Sequence, residues 1–209
     1  MLFSKRINNM DIGLYQLKYP FRKLLEGLLS LCRNVHPNTV SRLVFLIGFL
    51  FALACYFAAS GHPAVYLLVI SLGFTRMVAS TLDGLIAERF GKQSARGELI
   101  NRLAPELSDA LYLSALVLAR TDCLCLGVLT LAIAWITSFS GLLGLIVHKG
   151  VQSVGPVGQT DRLVALLLFS LAAYFSPNID WIRYFFLWTI AGGSLTIALR
   201  LSRVFANLP

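Results

Sequence analysis

Six long apolar runs, each close to the length that crosses a bilayer, dominate this sequence. Of its 209 residues 57% are hydrophobic and 13% are charged, whereas soluble domains carry about 25% charged residues. Because backbone polar groups in lipid must be satisfied within their own segment, such runs predict helices. We therefore predict an all-α polytopic membrane protein with six transmembrane helices, at residues 40–59, 63–88, 98–118, 123–147, 161–175 and 181–201.

A shorter segment before the first run is apolar on one face only. Across residues 15–33, leucines recur at helical spacing, while cations such as Lys18 and Arg22 occupy much of the opposite face. This pattern is typical of an amphipathic helix that lies on the membrane surface with its cations toward lipid phosphates. The sequence thus predicts an N-terminal segment with an interfacial helix, 1–36, followed by one transmembrane domain, 37–209.

The net charge of +8 is explained by topology rather than by nucleic acid. Lys and Arg concentrate before the first run, between the second and third, between the fourth and fifth, and after the sixth. Cytoplasmic connections of membrane proteins carry such an excess. We therefore predict a multi-pass protein of the cell inner (cytoplasmic) membrane with both termini in the cytoplasm, and no nucleic-acid partner.

Polar side chains interrupt the second and third runs at helical spacing, and ionisable residues within membrane spans are functional candidates. Residues three or four apart share one face of a helix. If the two helices are neighbours, their polar faces meet in one cavity near the cytoplasmic surface. The face of the second run carries Arg76, Ser80, Asp83 and Ala87, and that of the third carries Gly97, Asn101, Pro105 and Asp109.

The spacing of these residues resembles the signature of the CDP-alcohol phosphatidyltransferase family, D-x2-D-G-x2-A-R-x8-G-x3-D-x3-D. A second element resembles the G-P-x-G-K-x-D-R motif of a bacterial subgroup. The resemblance extends over nearly the whole chain, including the six spans and the amphipathic entry helix. The matching segments are Ser80-Thr81-Leu82-Asp83-Gly84-Leu85-Ile86-Ala87-Glu88 with Gly97, Asn101 and Pro105, and Gly155-Pro156-Val157-Gly158-Gln159-Thr160-Asp161-Arg162.

This resemblance implies phospholipid head-group transfer, in which an acceptor hydroxyl attacks a CDP-linked lipid or alcohol and CMP leaves. Family members hold Mg2+ or Mn2+ with four aspartates, and the fourth is thought to act as general base. It also implies a homodimer in contact with membrane lipids. By position, the nucleotide would be bound by Asn38, Thr39, Ser80, Asp83, Gly84, Ala87 and Gly97, the head group or phosphate by Arg76, Asp161 and Arg162, and a metal weakly by Asp83 and Asn101.

The chain departs from the signature at four positions. Ser80, Asn101 and Pro105 replace three aspartates, and Glu88 replaces the arginine. Pro105, at the position of the base, offers no side-chain oxygen, so the catalytic base is unknown. Substitute groups lie nearby: Asp109 one turn further on, the carboxylates of Glu88, Glu98 and Glu106, and Arg89 for the missing arginine.

Two functions stay open on the sequence alone. One is an enzyme of head-group transfer with a degenerate metal site. The other is a catalytically silent relative that binds lipid or nucleotide or acts as a regulatory partner subunit; a transporter or channel has little support beyond the spans. Structural roles compete at single positions too, since Arg76 can pair with a carboxylate, Asp109 with Arg76 or Arg102, and Asp161 and Arg162 can cap and flank the fifth span.

Overall fold

A computed structural model describes residues 18–27, 29, 37–91, 94–147 and 150–206. The N-terminal part of the segment predicted at 1–36 and the side chains of Asn38 and Thr39 lie outside the described residues. Within the described ranges the regular structure is entirely helical. The all-α prediction is therefore confirmed for this part of the chain.

The described part of the chain contains seven α-helices. The bounds of the six long helices differ from the predicted runs by a few residues at most, whereas the first, short helix ends at Glu26, before the predicted end of the amphipathic segment at residue 33. The first long helix begins at Pro37, so that Asn38 and Thr39 lie in its first turn. Proline suits this start, because its missing N–H has no acceptor in a first turn. The helices are α1 Lys18–Glu26, α2 Pro37–Ala59, α3 Val65–Arg89, α4 Ala95–Ala119, α5 Leu124–Ile146, α6 Gln159–Phe175 and α7 Trp181–Phe205, with a 3-10 turn at Thr121–Cys123 before α5.

By length and apolar composition, four of the described helical stretches qualify as membrane spans. They are Arg42–Ala59, Val65–Arg89, Thr121–Ile146 and Trp181–Phe205. The 17 residues of α6 measure roughly 25 Å, which is less than the ~30 Å thickness of the hydrocarbon core. Charged residues, among them Glu98, Arg102 and Glu106, occupy the first half of α4. The chain is therefore a membrane protein by its helices, and the count of six spans stays a prediction.

The short helix α1 packs against the last turns of α3. Leu25 and Leu29 are buried there together with Leu85 and Ile86, while Leu24 is exposed. The described part of the predicted amphipathic helix thus turns part of its apolar face toward the protein. Its position relative to a membrane stays a prediction.

Helix α2 is the central packing element of the first half of the chain, because it packs against both α3 and α4. Phe51 of α2 and Tyr112 of α4 are fully buried and meet edge to face, with ring centroids 5.3 Å apart. In the second half α5 packs on α7, and α6 joins the halves through contacts with α3 and α7. Small residues allow close approach, as where Gly48 faces Ser108.

One end of the bundle is closed by an ion-pair group around Arg120. Its guanidinium donates to both carboxylate oxygens of Asp180, at 2.6 and 2.7 Å, and to Asp122. Asp180 also accepts from the N–H of Arg183 and so caps α7. The hydrogen bonds from Arg120 lower the pKa of Asp180 below its ordinary value. This group joins the end of α4 to the start of α7, at the end of the bundle opposite the polar residues described next.

Candidate functional site

Helices α3 and α4 meet where the sequence predicted a shared polar cavity. A methyl group placed on Gly84 would lie 3.4 Å from the side-chain nitrogen of Asn101. Asp83 is buried, with 7% of its surface exposed, and Ser80 and Asn101 are half-buried. The two helices therefore approach each other at Gly84 and Asn101, next to the buried Asp83, and the shared cavity stays a prediction.

Arg76 makes a second connection between the same two helices. Its Nη2 donates to the main-chain oxygen of Pro105 at 3.0 Å and lies 3.5 Å from Oδ1 of Asp109. Pro105 has no N–H, so the carbonyl of Asn101, four residues earlier, loses its helical donor. The position of the missing base thus contributes backbone oxygens to the site, although its side chain contributes none.

Asp109 is the centre of a buried bridge of three helices. Oδ2 accepts from Nη2 and Nε of Arg162, at 2.9 and 3.2 Å, and Oδ1 faces Arg76. The three side chains are each at most 5% exposed. We name this group the Arg76–Asp109–Arg162 bridge. It joins α3, α4 and α6, and it contains the Arg76–Asp109 ion pair that the sequence offered as a structural alternative.

Asp161 and Arg162 are adjacent in sequence but act in different places. Oδ2 of Asp161 accepts from the N–H of Gly158 at 2.7 Å, so this carboxylate caps the start of α6. Arg162 instead reaches across to Asp109. The structure thus brings Arg76, Arg162 and Asp109 together, and it gives Asp161 a local capping contact.

Arg200 on α7 is a buried arginine that fixes the segment before α6, a role that its sequence position alone does not predict. It is 6% exposed, and it donates from Nε to the carbonyl of Val154 at 2.9 Å and from Nη1 to that of Thr137. These bonds hold the segment before α6, where Thr196 also accepts from the N–H of Val157. A cation late in an apolar span is the signal that points to such a role.

Glu88, which replaces the signature arginine, forms an ion pair with Arg22 of α1. The sequence does not predict this ion pair, because its two residues are 66 positions apart. Together with Glu26 and Arg89 they line a cavity of about 590 Å³ beside the end of α3. Helix α1 is therefore attached to the same end of α3 that carries Asp83.

Comparison with known proteins assigns the chain to a family. The Escherichia coli (strain K12) inner membrane protein YnbA is 32% identical over 183 residues, which cover 85% of this chain and 88% of YnbA. The chain belongs to the YnbA family. No family model matches it.

The YnbA-family chain has the fold of a solved phospholipid synthase. Mycobacterium tuberculosis phosphatidylinositol phosphate synthase with CDP-DAG bound superposes with a TM-score of 0.70 at 15% identity, covering 88% of this chain and 93% of that one. The same synthase in complex with manganese and citrate gives the same TM-score and identity, with 88% of each chain covered. The predicted resemblance to CDP-alcohol phosphatidyltransferases is thereby confirmed at the level of the fold.

The donor set of the YnbA-family chain does not fit a pair of divalent cations. Hard cations take several oxygen ligands, usually carboxylates, and Asp83 is the single carboxylate at the four aspartate positions. Among the described residues, no group of three or more His, Cys, Asp or Glu side chains is placed to hold a metal ion. Ser80 and Asn101 offer neutral oxygens that bind such ions weakly.

Proposed function

We propose that the chain is a CDP-alcohol phosphatidyltransferase-like membrane protein of phospholipid head-group transfer, with a CDP-linked lipid or alcohol as donor and an alcohol as acceptor. The observation that carries this proposal is the contact of α3 with α4 at Gly84 and Asn101, beside the buried Asp83. The fold is that of a synthase solved with CDP-DAG bound. Fold alone does not establish an activity, so the proposal depends on the residues of this pocket.

In this proposal the nucleotide lies along the contact between the start of α2, the end of α3 and the start of α4. Glycine and alanine at this contact let the backbone approach a nucleotide closely. Two neutral side chains, Ser80 and Asn101, offer hydrogen-bonding groups, and Asp83 offers one charge. The residues assigned to the nucleotide are Asn38, Thr39, Ser80, Asp83, Gly84, Ala87 and Gly97.

The phosphate part of the ligand is assigned to the arginines of the bridge, with Asp161 at the edge of the site. Nε of Arg76 and Nη1 of Arg162 are buried, and neither has a hydrogen-bond partner among the described residues. Leaving a buried donor unpaired costs about 1–3 kcal/mol. A phosphate oxygen that reached either guanidinium would satisfy such a donor, and guanidinium groups suit phosphate geometry.

Transfer would join the acceptor hydroxyl oxygen to the phosphorus that carries the lipid or alcohol, and break its bond to CMP. The hydroxyl proton needs an acceptor. Pro105 has no side-chain acceptor. Oδ2 of Asp109 accepts from Arg162, and Oδ1, which accepts no hydrogen bond among the described residues, lies 3.5 Å from Arg76. This occupation of Asp109 favours the second candidate, a catalytically silent member that binds lipid or nucleotide as a regulatory partner subunit.

The surroundings of the site complete the proposal. We assign six membrane-spanning helices, an interfacial amphipathic helix at the N-terminus, and both termini to the cytoplasmic side. The inner membrane is the location that the name of YnbA states for that relative. A homodimer is the oligomeric state expected from the CDP-alcohol phosphatidyltransferase resemblance.

The direct test is CMP release by the purified protein in liposomes that contain CDP-diacylglycerol, with glycerol 3-phosphate and inositol 1-phosphate as trial acceptors. Asp83→Asn removes the charge of the pocket and Glu98→Gln is its control, because Glu98 forms an exposed pair with Arg102. CMP release that only Asp83→Asn abolishes supports the transferase. Binding of CDP-diacylglycerol that depends on Asp83 but gives no CMP release supports the catalytically silent member. Absence of CDP-diacylglycerol binding contradicts both the transferase and the silent member.

A further inference from the structure

The carboxylates that stand close enough in sequence to replace the missing metal ligands are mostly bound to arginine. Asp109 is held by Arg76 and Arg162 in the buried bridge. Glu88 pairs with Arg22, and Glu98 pairs with Arg102. Glu106 is half-buried on α4 beside Ser138.

These pairs oppose the binding of a divalent cation for two reasons. A cation that took Asp109 as a ligand would displace two guanidiniums that are at most 5% exposed, leaving buried positive charge without compensation. It would also lie beside those guanidiniums, and repulsion between like charges is strong in a buried site. Asp83 and the half-buried Glu106 are the remaining carboxylates near these positions, and two carboxylates hold a hard cation more weakly than the larger oxygen sets that such cations take.

We propose that the site of this chain neither binds nor requires Mg2+ or Mn2+, because carboxylates that could replace the missing ligands are paired with arginines, among them Asp109 in the Arg76–Asp109–Arg162 bridge. As a consequence, which depends on the function proposed above, the phosphate groups of a CDP-linked ligand are bound without a divalent cation. Binding of that ligand is then insensitive to chelators.

The first test measures Mn2+ binding to the wild-type protein in detergent by electron paramagnetic resonance. The Mycobacterium synthase, which was solved with manganese, is the positive control. We expect no saturable binding below about 1 mM free Mn2+. The proposal is overturned if the wild-type protein binds Mn2+ with a Kd below about 100 μM and Asp83→Asn weakens this binding about tenfold or more. Mn2+ binding that Asp83→Asn leaves unchanged occurs elsewhere on the protein and is consistent with the proposal.

A matched variant restores the signature carboxylates as Ser80→Asp, Asn101→Asp and Pro105→Asp together. We expect it to gain saturable Mn2+ binding. A folded variant without any gain contradicts the placement of the site between α3 and α4, on which the proposal rests. If the variant does not fold, the wild-type measurement against the synthase control still decides the question.

The second test measures binding of CDP-diacylglycerol in nanodiscs, in EDTA and in Mg2+. We expect the two Kd values to agree within about twofold. Binding about tenfold or more tighter in Mg2+ overturns the proposal. Absence of binding in both conditions contradicts the proposed function, and the Mn2+ measurement then decides the present inference by itself.

Discussion

Asp109→Asn is the substitution with the largest expected effect on stability. Asparagine keeps the shape of the side chain but removes the negative charge that Arg76 and Arg162 share. Two buried guanidiniums are then left without an opposite charge. Removing one partner of a buried ion pair typically lowers the free energy of unfolding by about 3–5 kcal/mol, and we expect a loss of this size here.

This loss is measurable by thermal denaturation of the purified protein in mild detergent, followed by tryptophan fluorescence. For a chain of 150–250 residues, each 1 kcal/mol shifts the Tm by about 2–4 °C. The expected decrease is therefore about 6–20 °C. Mg2+ and EDTA should leave the Tm of both proteins unchanged, because the bridge is made by the chain alone.

Glu98→Gln is the matched control, since it makes the same acid-to-amide change on the same helix. Glu98 and Arg102 are exposed, with 69% and 59% of their side-chain surfaces accessible, and such pairs contribute about 0–1 kcal/mol. A decrease for Asp109→Asn that equals the control would refute the reasoning, because the bridge would then contribute no more than a surface pair.

Three further changes test other parts of the structure. Both Gly155 and Gly61 have φ values above +100°. A methyl group at Gly155 would also lie 2.4 Å from the buried side chain of Thr196, whereas one at Gly61 would lie in open space. Gly155→Ala should therefore lower the stability of the protein by about 1–3 kcal/mol more than Gly61→Ala, as measured by thermal denaturation. Because Arg120 lowers the pKa of Asp180, the stability from this carboxylate is present above its ordinary pKa and is lost as pH falls through the lower folded pKa. The Tm difference between wild type and Asp180→Asn should thus narrow below about pH 4, and a constant difference would contradict this. Gly84→Leu should weaken CDP-diacylglycerol binding about tenfold or more, because the larger side chain must move Asn101. Gly84→Ala should change the Kd less than about twofold, because its methyl group lies 3.4 Å from the Asn101 side chain. Equal effects of the two substitutions would be evidence against a pocket at this contact.

The helices could be predicted from the sequence because each begins and ends at a local signal. Apolar runs close to bilayer length give the long helices, and Gly61-His62-Pro63 separates the first two. The count of membrane spans was harder to predict, since α6 is short and α4 is charged in its first half. Length and composition of one segment do not decide whether its neighbours shield it from lipid.

The site could be predicted where spacing on one helix decides which residues share a face. Asp83 and Asn101 were assigned to one pocket in this way; the structure brings Gly84, next to Asp83, close to Asn101, and the shared pocket stays a prediction. The roles of Arg22 and Arg200 could not be predicted, because each depends on a partner that is distant in sequence. Spacing along a helix gives no information on which distant side chain an arginine reaches.

The most direct test of the proposed site is an experimental structure of the protein with CDP-diacylglycerol, determined in the presence of Mn2+ with anomalous data. We expect cytidine diphosphate density between α3 and α4, against Asp83 and Gly84, with its phosphates toward Arg76 and Arg162 and no manganese peak. Nucleotide density outside this contact would contradict the proposed pocket, and manganese bound at Asp83 would contradict the proposal that the site binds no divalent cation.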